Sequence, residues 1–148
     1  MSSHVEDFLT AVQEQEIVEA IRQAEKDTSG EIRVHLEGRS DSNPLERAKE
    51  VFSFLKMNET KERNGVLFYV AVDDRKFSIL GDTGIDKKVP DDFWNSIKDT
   101  VIDDFKKGKY TEGLVKGIIE AGKKLKAFFP YTSDDRNELD DTISKGAD

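Results

Sequence analysis

Two adjacent carboxylates, Asp73 and Asp74, followed by Arg75, interrupt the most apolar stretch of the chain, NGVLFYVAVDDRKFSILGD over 64–82. A second pair, Asp103 and Asp104, closes a helical pattern further on. Clustered carboxylates suit a hard cation, Ca²⁺ or Mg²⁺, which takes carboxylate and carbonyl oxygens in preference to sulfur or imidazole. Aspartates in the last turn of a helix also face the negative end of its dipole, so they call for a compensating positive charge. A bound cation would supply it, and so would Lys106 and Lys107. A weaker candidate is the order Asp-x-Gly-x-Asp at Asp82, Gly84 and Asp86, which reads either as a small ion loop or as a glycine turn leading into a helix. Carboxylates and a metal together can activate water for phosphate-ester hydrolysis, with Arg75 or Arg39 steadying the phosphate oxygens. Arg75 at a hairpin tip serves equally well as a solvated gatekeeper.

Other chemistries lack material. The sequence has no Gly-rich phosphate loop, no dinucleotide fingerprint and no nucleophile elbow. It has no cysteine, which removes thiolate zinc sites and a cysteine nucleophile, and its two histidines, His4 and His35, are too few for a multi-histidine centre. His35 reads as a solvent-facing structural residue within a strand.

The 148 residues fit one domain with a core large enough to need no disulfide. Asp and Glu number 31 against 23 Lys and Arg, a net charge of -8, which repels phosphate backbones and argues against nucleic acid as the main partner. The first residues, MSSHVEDF, carry neither a basic nor an apolar leader region, and no apolar run reaches membrane-spanning length. The expectation is a cytoplasmic monomer without a membrane anchor. Residues 1–9 read as a flexible N-terminus, 10–130 as the folded domain, and 131–148 as an acidic tail, disordered or loosely docked.

The elements that position the carboxylates follow from periodicity. Val66 to Val72 is an apolar run rich in β-branched and aromatic residues, a strand buried on both faces. With Phe77 to Gly81 it forms a hairpin whose tip is Asp73-Asp74-Arg75. Glu31 to Gly38 alternates, with Ile32, Val34 and Leu36 on one face and Arg33, His35 and Glu37 facing solvent on the other. Such a strand belongs at or next to a sheet edge. Thr10 and Gln13 have capping-box spacing ahead of a helix through Ile17, Ala20, Ile21 and Ala24, which should end near Thr28 with Gly30 as its left-handed stop.

Asn43 and Pro44 open a helix over Leu45, Ala48, Phe52 and Leu55, and a helix between two strands makes them parallel. Met57 to Arg63 reads as a mobile charged connection. Pro90, Asp91 and Asp92 open a helix through Trp94, Ile97, Val101 and Phe105. Thr111 caps another, through Leu114, Ile118, Ala121, Leu125 and Phe128, in which Gly113 and Gly117 permit a close neighbour. The fold class is α/β, a three-layer sandwich with a small mixed sheet and helices on both faces, in the order α-β-α-β-β-α-α.

This topology puts Asp73 and Asp74 at the carboxyl end of the second strand, beside Arg39, Ser40 and Asp41 after the first. That is the end at which open α/β sheets bind ligands. The helix ending in Asp103 and Asp104 runs back toward the same end, so the four aspartates should share one rim. Asp82 falls at the opposite end.

The hairpin and the segments C-terminal to it resemble the TPM domain family, which includes a plant thylakoid-lumen protein of photosystem repair and an animal acetylcholine-receptor modulator. The resemblance rests on Asn64-Gly65-Val66-Leu67, Asp74-Arg75, Gly81 with Gly84, Phe105-Lys106, Gly108 and Tyr110, and covers roughly Thr10 to Phe129. It implies an α/β sandwich and divalent-cation binding, notably of calcium. From the plant member it implies acid phosphatase activity. The family's acidic site maps onto Asp73 and Asp74, and its extension to Asp103 rests on the course of the returning helix. Many members carry a leader and an anchor or low-complexity tail, which this sequence does not show, so an envelope or thylakoid role does not transfer.

Three functions are therefore expected in order. The first is calcium binding through Asp73, Asp74, Asp103 and Asp104. The second is a metal-assisted phosphatase on the same rim. The third is an ion-independent module for an unknown protein partner in assembly or quality control.

Overall fold

The computed structural model describes residues 4–40, 43–131, 139 and 141–146. Its elements are α1 (His4–Asp7), α2 (Ala11–Ala24), β1 (Glu31–Glu37), α3 (Pro44–Phe54), β2 (Gly65–Ala71), β3 (Lys76–Gly81), α4 (Thr83–Asp86), α5 (Asn95–Lys106), α6 (Tyr110–Leu125) and β4 (Ser144–Lys145). The sheet runs β3-β2-β1-β4. β1 and β2 are parallel, with Glu31 opposite Gly65 and Glu37 opposite Ala71, while β2 and β3 form the antiparallel hairpin.

All seven residues of β2 are buried, as its unbroken apolar sequence requires. Val66, Phe68 and Val70 join Ile32, Val34, Leu36 and Ile79 against α2, α5 and α6. Leu67, Tyr69 and Ala71 face the other way, onto Ala48, Val51 and Phe52 of α3 and onto Met57. This is the α/β sandwich, with helices on both faces of the sheet. Each large apolar side chain so buried contributes about 1.5–3 kcal/mol, more than a helix cap at roughly 1 kcal/mol. The two-sided strand therefore organises the domain, and the caps trim it.

The capping box at Thr10 and Gln13 and the Asn43 cap with Pro44 behind it both form. Gly113 and Gly117 do bring α6 close to α5. A Cβ at Gly117 would lie 2.5 Å from Val101 Cγ2, and one at Gly113 would lie 3.0 Å from Asp104 Cβ.

Several boundaries differ from expectation. α2 stops at Ala24, not near Thr28, and Gly30 is not left-handed. Thr28 instead bridges to Pro130 and donates its hydroxyl to the Phe129 carbonyl, so the chain turns early to meet the end of α6. α5 begins at Asn95, after turns at Pro90 to Trp94. α6 begins at Tyr110 with Thr111 buried inside it, so Thr111 is no cap. The charged connection 57–63 is anchored, since Met57 and Thr60 are buried and Thr60 Oγ1 accepts the Asn64 N–H at 3.2 Å.

Two further segments join the domain. Val5 and Leu9, in the stretch read as the N-terminus, are buried in the core. Within the stretch read as a tail, β4 pairs parallel with β1, His35 opposite Ser144.

Candidate functional site

The carboxyl end of β1 and β2 is held together by backbone bonds that continue past both strands. Val72 donates to the Glu37 carbonyl at 2.7 Å and Asp73 to the Gly38 carbonyl at 2.8 Å. The hairpin tip then reverses through Arg75, which adopts φ 53°. Asp73 and Arg75 are exposed and Asp74 is half-buried, its Oδ2 accepting the Ser40 N–H at 3.1 Å. Arg39 is exposed beside it, and Asp41 lies outside the described residues. The loop after β1 and the hairpin tip are thus joined through Asp74.

The end of α5 returns to this end of the sheet. Phe105 packs edge-on against Phe77, the second residue of β3, with ring centroids 5.7 Å apart. The two aspartates before it diverge. Asp103 is exposed and lines a shallow surface depression with Asp99, Thr100, Ile102 and Lys106. Asp104 is buried against α6, its Oδ2 3.1 Å from Lys116 Nζ. The positive charge that the helix end calls for therefore comes to Asp104 from Lys116, which neither Lys106 nor Lys107 foreshadowed. Among the described residues, no three acidic or histidine side chains are grouped so as to hold a metal ion, so the four aspartates do not form one preassembled ligand set.

At the opposite end of the sheet, Asp82 is buried and caps α4, its Oδ1 accepting the Thr83 N–H at 2.7 Å. Arg63 grips the same carboxylate through Nε at 2.8 Å and Nη2 at 3.1 Å. The segment is thus a glycine turn entering a helix. Gly84 is required there, because a Cβ would lie 2.1 Å from the Glu62 carbonyl oxygen. Burial, and then the charge of Asp82, raise the Asp86 carboxyl above its ordinary range.

Beside the rim lies a buried polar network that overturns the solvent-facing reading of β1. Glu37 is 3% and His35 5% exposed. Arg47, in the first turns of α3, donates to Glu37 Oε2 from Nε at 2.8 Å and to Oε1 from Nη2 at 3.0 Å. The Tyr69 hydroxyl donates to Glu37 Oε2, and His35 Nε2 lies 3.2 Å from Oε1. His35 Nδ1 meets Ser144 Oγ at 2.9 Å.

Burial alone would push the Glu37 carboxyl up, but the hydrogen bonds from Arg47, Tyr69 and His35 outweigh it and hold it below its ordinary range. Burial lowers the His35 pKa against the pull of Glu37, which favours the neutral ring. Burial, with Glu37 as the acceptor, keeps the Tyr69 proton in place well above the usual phenol range. Ser40 also hydrogen-bonds Tyr69 through its side chain, so the network runs without a break into Asp74. The sequence signal was present in the polar face of EIRVHLE and in Tyr69 within an apolar run.

Chemically, Glu37 is a fixed, fully engaged anion and suits positioning. Asp73 and Asp74 at the rim have the accessibility that a ligand requires.

The α/β sandwich and this carboxyl-end hairpin agree with the sequence comparison, which matches the TPM domain over residues 3–124. The chain belongs to the TPM domain family. It is similar to the BA42 protein of the psychrophilic bacterium Bizionia argentinensis, solved by NMR, with 54% identity and a TM-score of 0.91 over 96% of this chain and 98% of that one. Two more distant solution structures share the fold. The N-terminal domain of a protein from P. gingivalis is 22% identical, with a TM-score of 0.68 over 83% of this chain and 80% of that one. The N-terminal domain of the cg2496 protein from Corynebacterium glutamicum is 12% identical, with a TM-score of 0.62 over 85% of this chain and 78% of that one. No curated protein matches the chain. No helix among the described residues is long and apolar enough to cross a membrane.

Proposed function

We propose that this TPM domain binds a divalent cation, calcium in the first instance, at the carboxyl-end rim through Asp73 and Asp74, with Asp103 reaching in from the end of α5. The observation that carries this reading is the Ser40 N–H bond to Asp74 Oδ2 at 3.1 Å. It fixes the Asp74 carboxylate, next to Asp73, at the end of a parallel strand pair, where open α/β sheets take ligands. Asp104 is left out of the ligand set, since Lys116 already neutralises it. So few carboxylates make a weak site, with a Kd on the order of 10⁻⁴–10⁻³ M. A calcium titration followed by residue-resolved NMR should shift the amides of 73–75 and of 102–105 together, and Asp74→Asn should abolish both shifts. Amides in both stretches that stay put at tens of millimolar calcium would refute the proposal.

Hydrolysis of phosphomonoesters is the second reading, favoured by Arg39 and Arg75 standing exposed at the same rim. It requires turnover of a generic phosphomonoester that depends on the added metal and is lost in Asp74→Asn. Turnover that survives in the variant removes Asp74 from the chemistry.

A further inference from the structure

The last described stretch of the chain is fastened along the outer side of β1 at several points. Leu139 donates its N–H to Glu31 Oε1 at 3.3 Å, and Gly146 donates to the Leu36 carbonyl at 2.7 Å. Between them, Ser144 Oγ meets His35 Nδ1 and Lys145 Nζ pairs with Glu14 of α2 at 2.6 Å. The seat is close-fitting, since a Cβ at Gly146 would stand 3.0 Å from both Glu37 Oε1 and His35 Nε2.

One fastening differs in kind from the others. The Asp141 carboxyl stands against the carboxyl of Glu25, the residue that caps the end of α2, within reach of a shared proton. Two ionised carboxylates so placed repel and cannot hydrogen-bond each other, and one proton between them turns the repulsion into a bond. Glu25 is held in position, its Oε2 accepting the Ile32 N–H at 3.1 Å. Asp141 Oδ1 is buried and meets no donor while Glu25 is ionised. Glu31 of β1 adds a further negative charge, and Arg22 of α2 has its Nε 3.8 Å from Asp141 Oδ2.

We propose that the C-terminal segment through Gly146 is a proton-dependent latch on the outer edge of β1, shut while a proton lies between Glu25 and Asp141 and released when that proton is lost. Burial first, then the hydrogen bond and charge of Asp141, push the Glu25 carboxyl up to about 9 from an ordinary 4.5. A group whose pKa is raised on docking favours docking at low pH, so the latch is tightest below 4.5 and weakens as pH rises toward 9. Between pH 7 and 9 the other facing groups hold their states. His35 is neutral above its ordinary 6.5 and Tyr69 keeps its proton, and the charged side chains that face the segment are Arg22, beside Asp141, and Glu14, paired with Lys145. Release bares the outer hydrogen-bonding edge of β1 at His35 and Leu36, a position at which an added strand can pair.

Hydrogen exchange in EDTA tests the latch separately from any cation. The protection factor of the Gly146 amide should fall by about tenfold per pH unit from pH 7 to 9, while that of Phe68 in β2 stays constant. In Glu25→Gln, whose side chain stays neutral, Gly146 protection should be independent of pH and at least as high as in the wild type at pH 9. Asp141→Asn removes the other half of the pair and should flatten the slope in the same way. A wild-type protection factor that does not change with pH would overturn the latch, and so would a slope that persists in both variants.

Discussion

Arg47 Nε and Nη2 hold the two oxygens of the buried Glu37 carboxylate at 2.8 and 3.0 Å, bracing the end of β1 against the start of α3. A planar guanidinium fits a carboxylate in this two-point manner, which a lysine cannot reproduce. Removing one partner of a buried ion pair costs about 3–5 kcal/mol because the other charge is stranded. Arg47 is 37% exposed, and Tyr69 and His35 still serve Glu37, so solvent and these bonds discount the loss. Arg47→Ala should therefore lower the unfolding free energy by roughly 2 kcal/mol, and Arg47→Lys should recover only part of it. Urea unfolding of the three proteins checks the ranking, and equal stability of Lys and Arg at this position would deny the two-point contact its role.

Asp82 performs two tasks that separate by substitution. It caps α4 through the Thr83 N–H and receives Arg63 on the same carboxylate. Asp82→Asn keeps a capping oxygen while losing the charge, whereas Asp82→Ala loses both. The alanine variant should be less stable than the asparagine variant by about 1 kcal/mol, the usual worth of a side-chain N-cap. In Asp82→Asn the Asp86 carboxyl should also titrate lower, since the Asp82 charge that helps to raise it has gone. Carboxyl-carbon NMR reads this directly, and an Asp86 titration that does not move would leave burial as its sole cause.

Gly117 sets the approach of α6 to α5. A Cβ there would stand 2.5 Å from Val101 Cγ2 and 3.3 Å from Phe68 Cε2, inside the main core. Valine has little rotameric freedom in a helix, so the helices must part. Gly117→Ala should destabilise the fold by about 1–3 kcal/mol despite alanine's better helix propensity. Gly108, at φ 74° with open space around it, is the contrasting case, in which alanine strains the backbone and clashes with nothing. Thermal melts of the two variants, alongside α5–α6 NOE patterns, separate these mechanisms, because only Gly117→Ala should displace Val101.

The parts of this fold that were legible in the sequence are those set by local periodicity. The apolar run of β2, the Asp73-Asp74-Arg75 tip, the cap at Asn43 and Pro44, and the glycine pair in α6 follow from residues close together in the chain. Glu37 and His35 did not yield to the same reasoning. Alternation in EIRVHLE assigns them to the polar face of β1 but cannot say what covers that face. The cover comes from Arg47 on α3 and from Ser144, more than a hundred residues from His35. Asp104 follows the same rule, since Lys116, which answers its charge, sits on the next helix. The β-α-β connection by itself places Ser40 next to the hairpin tip, and the bond from its N–H to Asp74 is the contact that results.

The buried network also fixes how stability responds to acid. Glu37 is held below its ordinary 4.5 and His35 below its ordinary 6.5, so in both cases the unfolded chain binds protons more readily than the folded one. Their contributions are thus fully present above those ordinary values and are lost as pH falls through the lowered ones. Glu25 has the opposite sign, since its raised carboxyl favours the folded chain increasingly as pH falls from 9 toward 4.5. The two trends oppose each other between pH 4.5 and 6.5, so the wild type should change little there, and a variant is needed to expose the limb due to His35. In Glu25→Gln the urea midpoint should fall as pH is lowered from 7 to 5. Adding His35→Asn, which cannot titrate, should remove most of that fall while leaving the steeper loss due to Glu37 below pH 4.5. Identical acid limbs in the single and double variants would show that His35 takes up its proton without cost, and hence that the ring is not desolvated between Ser144 and Glu37.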